Sequence, residues 1–519
     1  MKPAFSNVGS IAAILVLTAC GSGNGPSIGQ GTPAPQPVNT TASPLVGGSP
    51  VASVNVTYNH APFFSVSQSE TAAVTLDSPP GTTLGHAVAY NSFENGFNCT
   101  GDSMSAMSYA INSSPFLAGA TFVPIQLNPP NGAAELLGDP AIGVQDAGSS
   151  WTVFVSSLAV SSSTWSGFSD ADGCLKSGFS PPSPDQICVN AVSINKSTGA
   201  WTNVPSKTWC AGSGGAAYDG TALFTTPTTH HVFAASMNDQ SEVDVFEDGA
   251  QLANPFPNMI MVGHVIFANS QPVVNAISEV PTLVAVDNAE NLWGAMFNLS
   301  THAWTTQKLQ ATSGYQWGPP GDVKIRGFNL QLRQVGLTAV QYTKNALNTF
   351  MVFYTEHDPM SGFARVQGVL CDSVFTNSFG GCGAPAAFIT PNDSNAYLPA
   401  ATVNFGTGAA TSIPSIWLSY WSDSTQGPLQ MNMTQVQIGV GFKNWQNTGV
   451  VESPCWQTVT EENGITDAYW GDYDGMTVAN YASLAPSLLR YLTDSTNGTC
   501  MGPSSIPQSI SVTLGNADL

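Results

Sequence analysis

Asp139-Pro-Ala-Ile-Gly-Val-Gln-Asp146-Ala-Gly-Ser-Ser-Trp151-Thr-Val-Phe154 aligns with Val280-Pro-Thr-Leu-Val-Ala-Val-Asp287-Asn-Ala-Glu-Asn-Leu-Trp293-Gly-Ala295. Each copy reads as a buried apolar strand, a turn begun by Asp146 or Asp287, and a second strand opened by Trp151 or Trp293. Gly215-Ala-Ala-Tyr-Asp219-Gly-Thr is a looser copy. A second element recurs as well. Val192-Ser-Ile-Asn-Lys-Ser-Thr-Gly-Ala-Trp201-Thr matches Met296-Phe-Asn-Leu-Ser-Thr-His-Ala-Trp304-Thr, and Val160-Ser-Ser-Ser-Thr-Trp165-Ser is a shorter version. These read as outer-strand hairpins with the tryptophan packed between sheets.

Working outward, unit starts fall near residues 84, 139, 215, 281, 336, 400 and 471, spaced by about 55 to 75 residues. Four short strands and their loops fit that spacing. The expectation is an all-β fold, a β-propeller of six or seven four-stranded blades, since a radial array leaves few exposed sheet edges. A pair of β-sandwich domains is the competing architecture. Long helical periodicity is absent, and Leu484 to Leu492 is the one stretch that also reads as a short helix.

Ahead of the repeats, Met1-Lys2 and the apolar run Ile11 to Leu17 lead into Leu17-Thr-Ala-Cys20. This quartet resembles a bacterial lipobox, which implies a signal peptide over 1–20 and lipidation of Cys20; an ordinary signal peptide is the alternative. Residues 21–50, rich in Gly, Ser, Thr and Pro, read as a disordered tether. The propeller domain then spans 51–519. Gly21 after the cysteine favours an outer-membrane destination by resemblance to sorting rules. The expected location is the bacterial cell envelope, lipid-anchored and extracytoplasmic.

Of nine cysteines, eight remain once Cys20 takes the lipid: Cys99, Cys174, Cys188, Cys210, Cys371, Cys382, Cys455 and Cys500. An even remainder in an exported chain suggests up to four disulfides. Short loops favour Cys174–Cys188 and Cys371–Cys382, with Cys455–Cys500 near the C-terminus, which leaves Cys99 and Cys210 to pair. No cysteine stands at zinc-site spacing.

Charged residues make up only 9% of the chain, and 33 acidic against 12 basic side chains give a net charge of −21. That balance argues against nucleic acid or an anionic membrane surface as partner. No second apolar run reaches the length of a membrane helix, so none is expected in the mature chain.

Several patches resemble the sialidase-like propellers that carry BNR (Asp-box) repeats. Gly138-Asp-Pro-Ala-Ile-Gly-Val-Gln-Asp146 is similar to the family's blade opening. Trp470-Gly-Asp-Tyr-Asp-Gly-Met476 resembles its W-G-D-Y-x-G motif, and Arg490-Tyr-Leu-Thr-Asp494-Ser resembles the strand that follows. The likeness spans roughly residues 84 to 500. The Asp-box S-x-D-x-G-x-T-W is nowhere intact; Tyr109-Ala-Ile-Asn-Ser-Ser-Pro115 stands in a suitable place without its Asp or Gly.

A sialidase clamps its substrate carboxylate with three arginines and uses a Tyr–Glu nucleophile pair with an Asp acid–base. The arginines here are Arg326, Arg333, Arg365 and Arg490, and none precedes the first blade. A catalytic set would need Arg326 or Arg333, Arg365 and Arg490 to converge with Tyr354 and Glu356. The structural alternative has the arginines at the surface and the tyrosine packed between blades. Other signatures are weaker. Gly25-Pro-Ser-Ile-Gly29 lies in the tether, no Gly-Lys pair supports a phosphate loop, and adjacent His230 and His231 point to opposite faces of a strand. Asp467, Asp472 and Asp474 read as turn caps or, through their oxygens, a Ca²⁺ site; otherwise no cofactor or metal is expected.

Family geometry places the ligand-binding mouth where loops enter the innermost strands, here at His86, Asp139, Pro281, Asp472 and Tyr473. The reading that follows is a lipid-anchored propeller that binds a glycan or protein partner and is not an enzyme. The alternatives are a divergent exo-sialidase-type glycoside hydrolase and a structural envelope lipoprotein.

Overall fold

The structure is a computed structural model. It describes residues 53–55, 68–78, 82–92, 99–111, 122–212, 215–270, 280–310, 323–325, 328–330, 336–344, 347–357, 364–374, 378–382, 386–389, 394–404, 415–424, 429–437, 445–450, 456–460, 466–469, 475–478, 487–494, 503–504 and 509–516. The signal-peptide, lipobox and tether expectations over residues 1–50, and Cys455 and Cys500, lie outside the described residues.

The fold is an all-β propeller. The strands Gln68–Ser78, Ala133–Asp146, Tyr218–Thr225, Met261–Phe267, Leu337–Lys344, Ser394–Asn404 and Gly475–Val478 follow one another side by side, and the last returns to the first. Outward from these strands the sheets run antiparallel, most of them in sequence order. One sheet joins both ends of the described chain: Ser53–Asn55 pairs with Ser509–Asn516, which is two strands away from Gly475–Val478. Such a radial array leaves only short sheet edges, at the outer strands.

Among the described residues, five of the sheets are blades of four strands, which corrects the expected six or seven four-stranded blades. Short extra pairings make up the difference. The sheet built on Ala133–Asp146 takes on both Trp201–Asn203 and Trp209–Ala211, giving five strands. The sheet built on Leu337–Lys344 takes on Asn269–Ser270 in parallel and Ala386–Ile389, giving six.

The core is a series of wedges between adjacent sheets rather than one central mass. Trp151 packs with Val74, Met107 and Ile125 of the preceding sheet, and Phe233 with Phe267 and Phe297 of the next. Because the sheet is covered on both faces, Ser150–Ser161 is buried at ten consecutive positions, which hold apolar residues and the uncharged Thr152, Ser156 and Ser157. This accounts for the low charged fraction.

Four sequence expectations need correction. Leu484 to Leu492 is not helical where described, since Ser487–Asp494 is a strand. The supposed hairpin at Val160 to Ser166 is instead the helix Ser162–Phe168. Ser161 caps it by accepting from the Thr164 N–H, and Asp185 accepts in turn from the Ser161 hydroxyl at 2.6 Å. The units placed at 84 and 281 open on second strands, because the inner strands there are Gln68–Ser78 and Met261–Phe267. Among the described residues the disulfides are Cys99–Cys174, Cys188–Cys210 and Cys371–Cys382. Only the last matches the short-loop expectation. Cys188 and Cys210 sit opposite each other on paired strands, and that register overrides the shorter loop to Cys174.

Candidate functional site

Three inner strands in succession are bulged, and each bulge carries a polar side chain. The register slips around Gly138 and Asp139, after Asp219, and between Val262 and Ile266. Bulges re-aim side chains out of the regular alternation. Here they bring one donor atom each from Asp139, Asp219 and His264 to within 4.8 Å of one another.

Glycines make the arrangement possible. Gly138, Gly220 and Gly263 adjoin the three residues and hold φ of 92°, 65° and 71°, in the region that favours glycine. A Cβ on Gly138 would lie 2.4 Å from Asn91 Oδ1, the atom that accepts from the Asp139 N–H at 2.8 Å. A Cβ on Gly220 would lie 2.5 Å from the His264 ring. Gly220 therefore makes room for the imidazole beside Asp219, and His264 Nε2 stands 3.8 Å from Asp219 Oδ1. The His264 side chain is 14% exposed and that of Asp219 46%, so the cluster is partly open to solvent. Two carboxylates and an imidazole offer oxygen and nitrogen donors to a cation, or hydrogen bonds to a polar ligand.

The remaining sequence candidates fall elsewhere. His86 is fully buried in the middle strand of its sheet, and burial lowers its pKa to about 3. Pro281 precedes a second strand. Neither lies ahead of an inner strand. Asp472, Tyr473, Asp474, Arg326 and Arg333 lie outside the described residues. Asp467 pairs with Val459 at the strand Thr466–Tyr469, and Arg490 stands opposite Met476 and Thr513.

Tyr354, Glu356 and Arg365 do come together, inside a sheet. Arg365 is the cross-strand neighbour of Glu356, and Gln367 that of Tyr354. Arg365 Nε donates to Glu356 Oε2 at 3.1 Å, Gln367 Nε2 donates to the same oxygen, and the Tyr354 hydroxyl donates to Gln367 Oε1 at 3.3 Å. All four residues are buried. Burial, reinforced by the Glu356 charge, pushes the Tyr354 hydroxyl far above the ordinary tyrosine range. A phenolate nucleophile is thus disfavoured there, and the guanidinium is committed to an internal carboxylate.

Sequence reasoning singled out Asp139 but missed Asp219 and His264 as its neighbours. The available signal was a glycine next to a polar residue within an apolar strand, as in Gly138-Asp139, Asp219-Gly220 and Gly263-His264.

Ring, wedges and bulged inner strands define a β-propeller with a polar cluster on its inner strands. No protein-family model and no curated protein matches the sequence. Similar solved structures include a sialidase from Trypanosoma rangeli, at 9% identity and TM-score 0.37, over 87% of this chain and 54% of the sialidase. The chain thus spans about half of that protein (54%). A six-bladed fucose-recognising lectin from Aleuria aurantia matches at 9% identity and TM-score 0.36, over 74% of this chain and 95% of the lectin. A periplasmic gluconolactonase from Pseudomonas aeruginosa matches at 10% identity and TM-score 0.35, over 84% and 98%. Sialidase-like propellers are therefore among the structures this chain is similar to, and the propeller assignment itself rests on its closed ring of sheets.

Proposed function

We propose that the chain is an extracytoplasmic, lipid-anchored propeller that binds a glycan or protein partner at its inner-strand mouth without hydrolysing it. The observation that carries this reading is the burial of Tyr354, Glu356 and Arg365 in a network of their own. These three side chains of the candidate sialidase set are satisfied internally, whereas Asp139, Asp219 and His264 are partly exposed on inner strands.

Export is supported by three disulfides, which persist in oxidising compartments, and by the lipobox at Leu17 to Cys20 with its tether. Among the described residues, no helix is long and apolar enough to cross a membrane. The anchor in this reading is the lipid on Cys20, and Gly21 directs it to the outer membrane.

A glycan array probed with the purified chain, run beside a fluorogenic sialoside, tests the reading. Glycan binding without turnover supports it. Turnover would replace it with the divergent hydrolase, and silence in both assays would shift the reading to a protein partner or a structural envelope role.

A further inference from the structure

We propose that Asp139, Asp219 and His264 form a binding site for one divalent cation of the zinc class. The proposal stands on the geometry of the cluster and is independent of whether the propeller binds glycans.

The donor set decides the class of ion. Ca²⁺ and Mg²⁺ take oxygen ligands almost exclusively, whereas an imidazole joined to carboxylates suits Zn²⁺ and its first-row neighbours. In a tetrahedron of about 2.1 Å bonds, ligand atoms stand about 3.4 Å apart. The His264 Nε2 to Asp219 Oδ1 separation of 3.8 Å and the 4.8 Å limit on all three pairs lie within a small side-chain adjustment of that value. Three protein ligands leave the fourth position to water or to an oxygen of a bound ligand, and the exposed side of Asp219 provides access.

Hydrogen bonds to the backbone hold the bulges of two of the ligands in place. Thr221 Oγ1 donates to the Asp139 carbonyl at 2.6 Å, and Ser236 Oγ donates to the Gly220 carbonyl at 2.5 Å. Asn91 fixes the Asp139 N–H. The bulges that carry Asp139 and Asp219 are thereby tied to each other and to neighbouring strands. Electrostatics point the same way. Asp139 and Asp219 crowd two carboxylates together in a chain of net charge −21, and a divalent cation between them offsets that repulsion.

The test uses the full chain, stripped with a chelator and titrated with ZnCl₂ by calorimetry. One Zn²⁺ per chain is expected. Asp219→Asn and His264→Gln should each weaken binding by at least about tenfold, and Gly220→Ala should weaken it while keeping every ligand. Zinc should raise the melting temperature of the parent and not of these variants, and metal-free melts matching the parent's would show that the variants fold. Should a variant fail to fold, X-ray absorption on the zinc-loaded parent decides: one imidazole among oxygen ligands is expected. A parent that binds no zinc, folded variants that bind it as well as the parent, a shell without imidazole, or displacement of zinc by equimolar Ca²⁺ would each overturn the proposal.

Discussion

Glu356 and Arg365 face each other across paired strands as a buried ion pair, with Arg365 Nε 3.1 Å from Glu356 Oε2. Removing one partner of such a pair leaves a charge stranded away from water. Arg365→Ala should therefore destabilise the fold by about 3–5 kcal/mol, whereas replacing both residues with apolar ones of similar volume should cost far less. Denaturant midpoints measure both. A change within about 0.5 kcal/mol for Arg365→Ala, the level of an ordinary surface substitution, would contradict the buried pairing.

The disulfide pairing predicts three cross-linked peptides in a non-reducing digest: Cys99 with Cys174, Cys188 with Cys210, and Cys371 with Cys382. Mass spectrometry reads these directly. A Cys174–Cys188 peptide would contradict the register of the strands that carry Cys188 and Cys210. Replacing both of those cysteines with alanine should cost about 3 kcal/mol on the loop-entropy account.

Two buried groups among the described residues make stability depend on pH. Burial, with the nearby Asp102 charge, raises the pKa of Glu135 from 4.5 to about 8. The folded chain then holds a proton that the unfolded chain releases, so stability falls as pH rises from about 4.5 to 8 and levels off above. His86 acts at the other end. Its pKa drops from 6.5 to about 3, the unfolded chain takes up a proton that the folded chain refuses, and stability falls as pH drops through that window. Glu135→Gln should flatten the upper slope, with a differential of about 2–4 kcal/mol between pH 5 and pH 8. Melts of parent and variant at the two pH values check this. Parallel losses in both would remove Glu135 as the cause.

Much of the propeller is legible in the sequence because repetition survives where motifs do not. The strand–turn–strand units at Asp146 and Asp287 are both real. Asp287 accepts from the N–H groups of Ala289 and Asn291 and, at 2.7 Å, from the indole of Trp293, while Asp146 accepts from Gly148. The alignment nevertheless matches the first and second strands of one sheet to the second and third of another. All strands covered on both faces look alike, so the pattern cannot tell inner from outer. Ser162–Phe168 was hidden for a related reason. Its Ser and Thr residues suit a strand as well as a cap, and the deciding partner, Asp185, lies 24 residues from Ser161. In the candidate site, Asp139 announced itself through Gly138-Asp-Pro, but its meeting with Asp219 and His264 depends on bulges in three separate sheets, which the glycine–polar pairs mark one by one without showing that they converge.

Lipid anchoring predicts that Cys20→Ser abolishes palmitate labelling and shifts the chain from the membrane to the soluble fraction of a bacterial host. Fractionation and labelling of parent and variant test it. Labelling that persists in the variant would remove Cys20 as the acceptor.

The central claim, recognition without hydrolysis, is tested most directly by measuring fluorogenic sialoside turnover on the same preparation that is applied to a glycan array. The account predicts turnover at the level of buffer alone and, where the partner is a glycan, specific array binding weakened by Asp219→Ala. Turnover that is lost on Arg365→Ala in a variant shown to be folded would contradict it, because it would place at the substrate an arginine that the structure buries against Glu356.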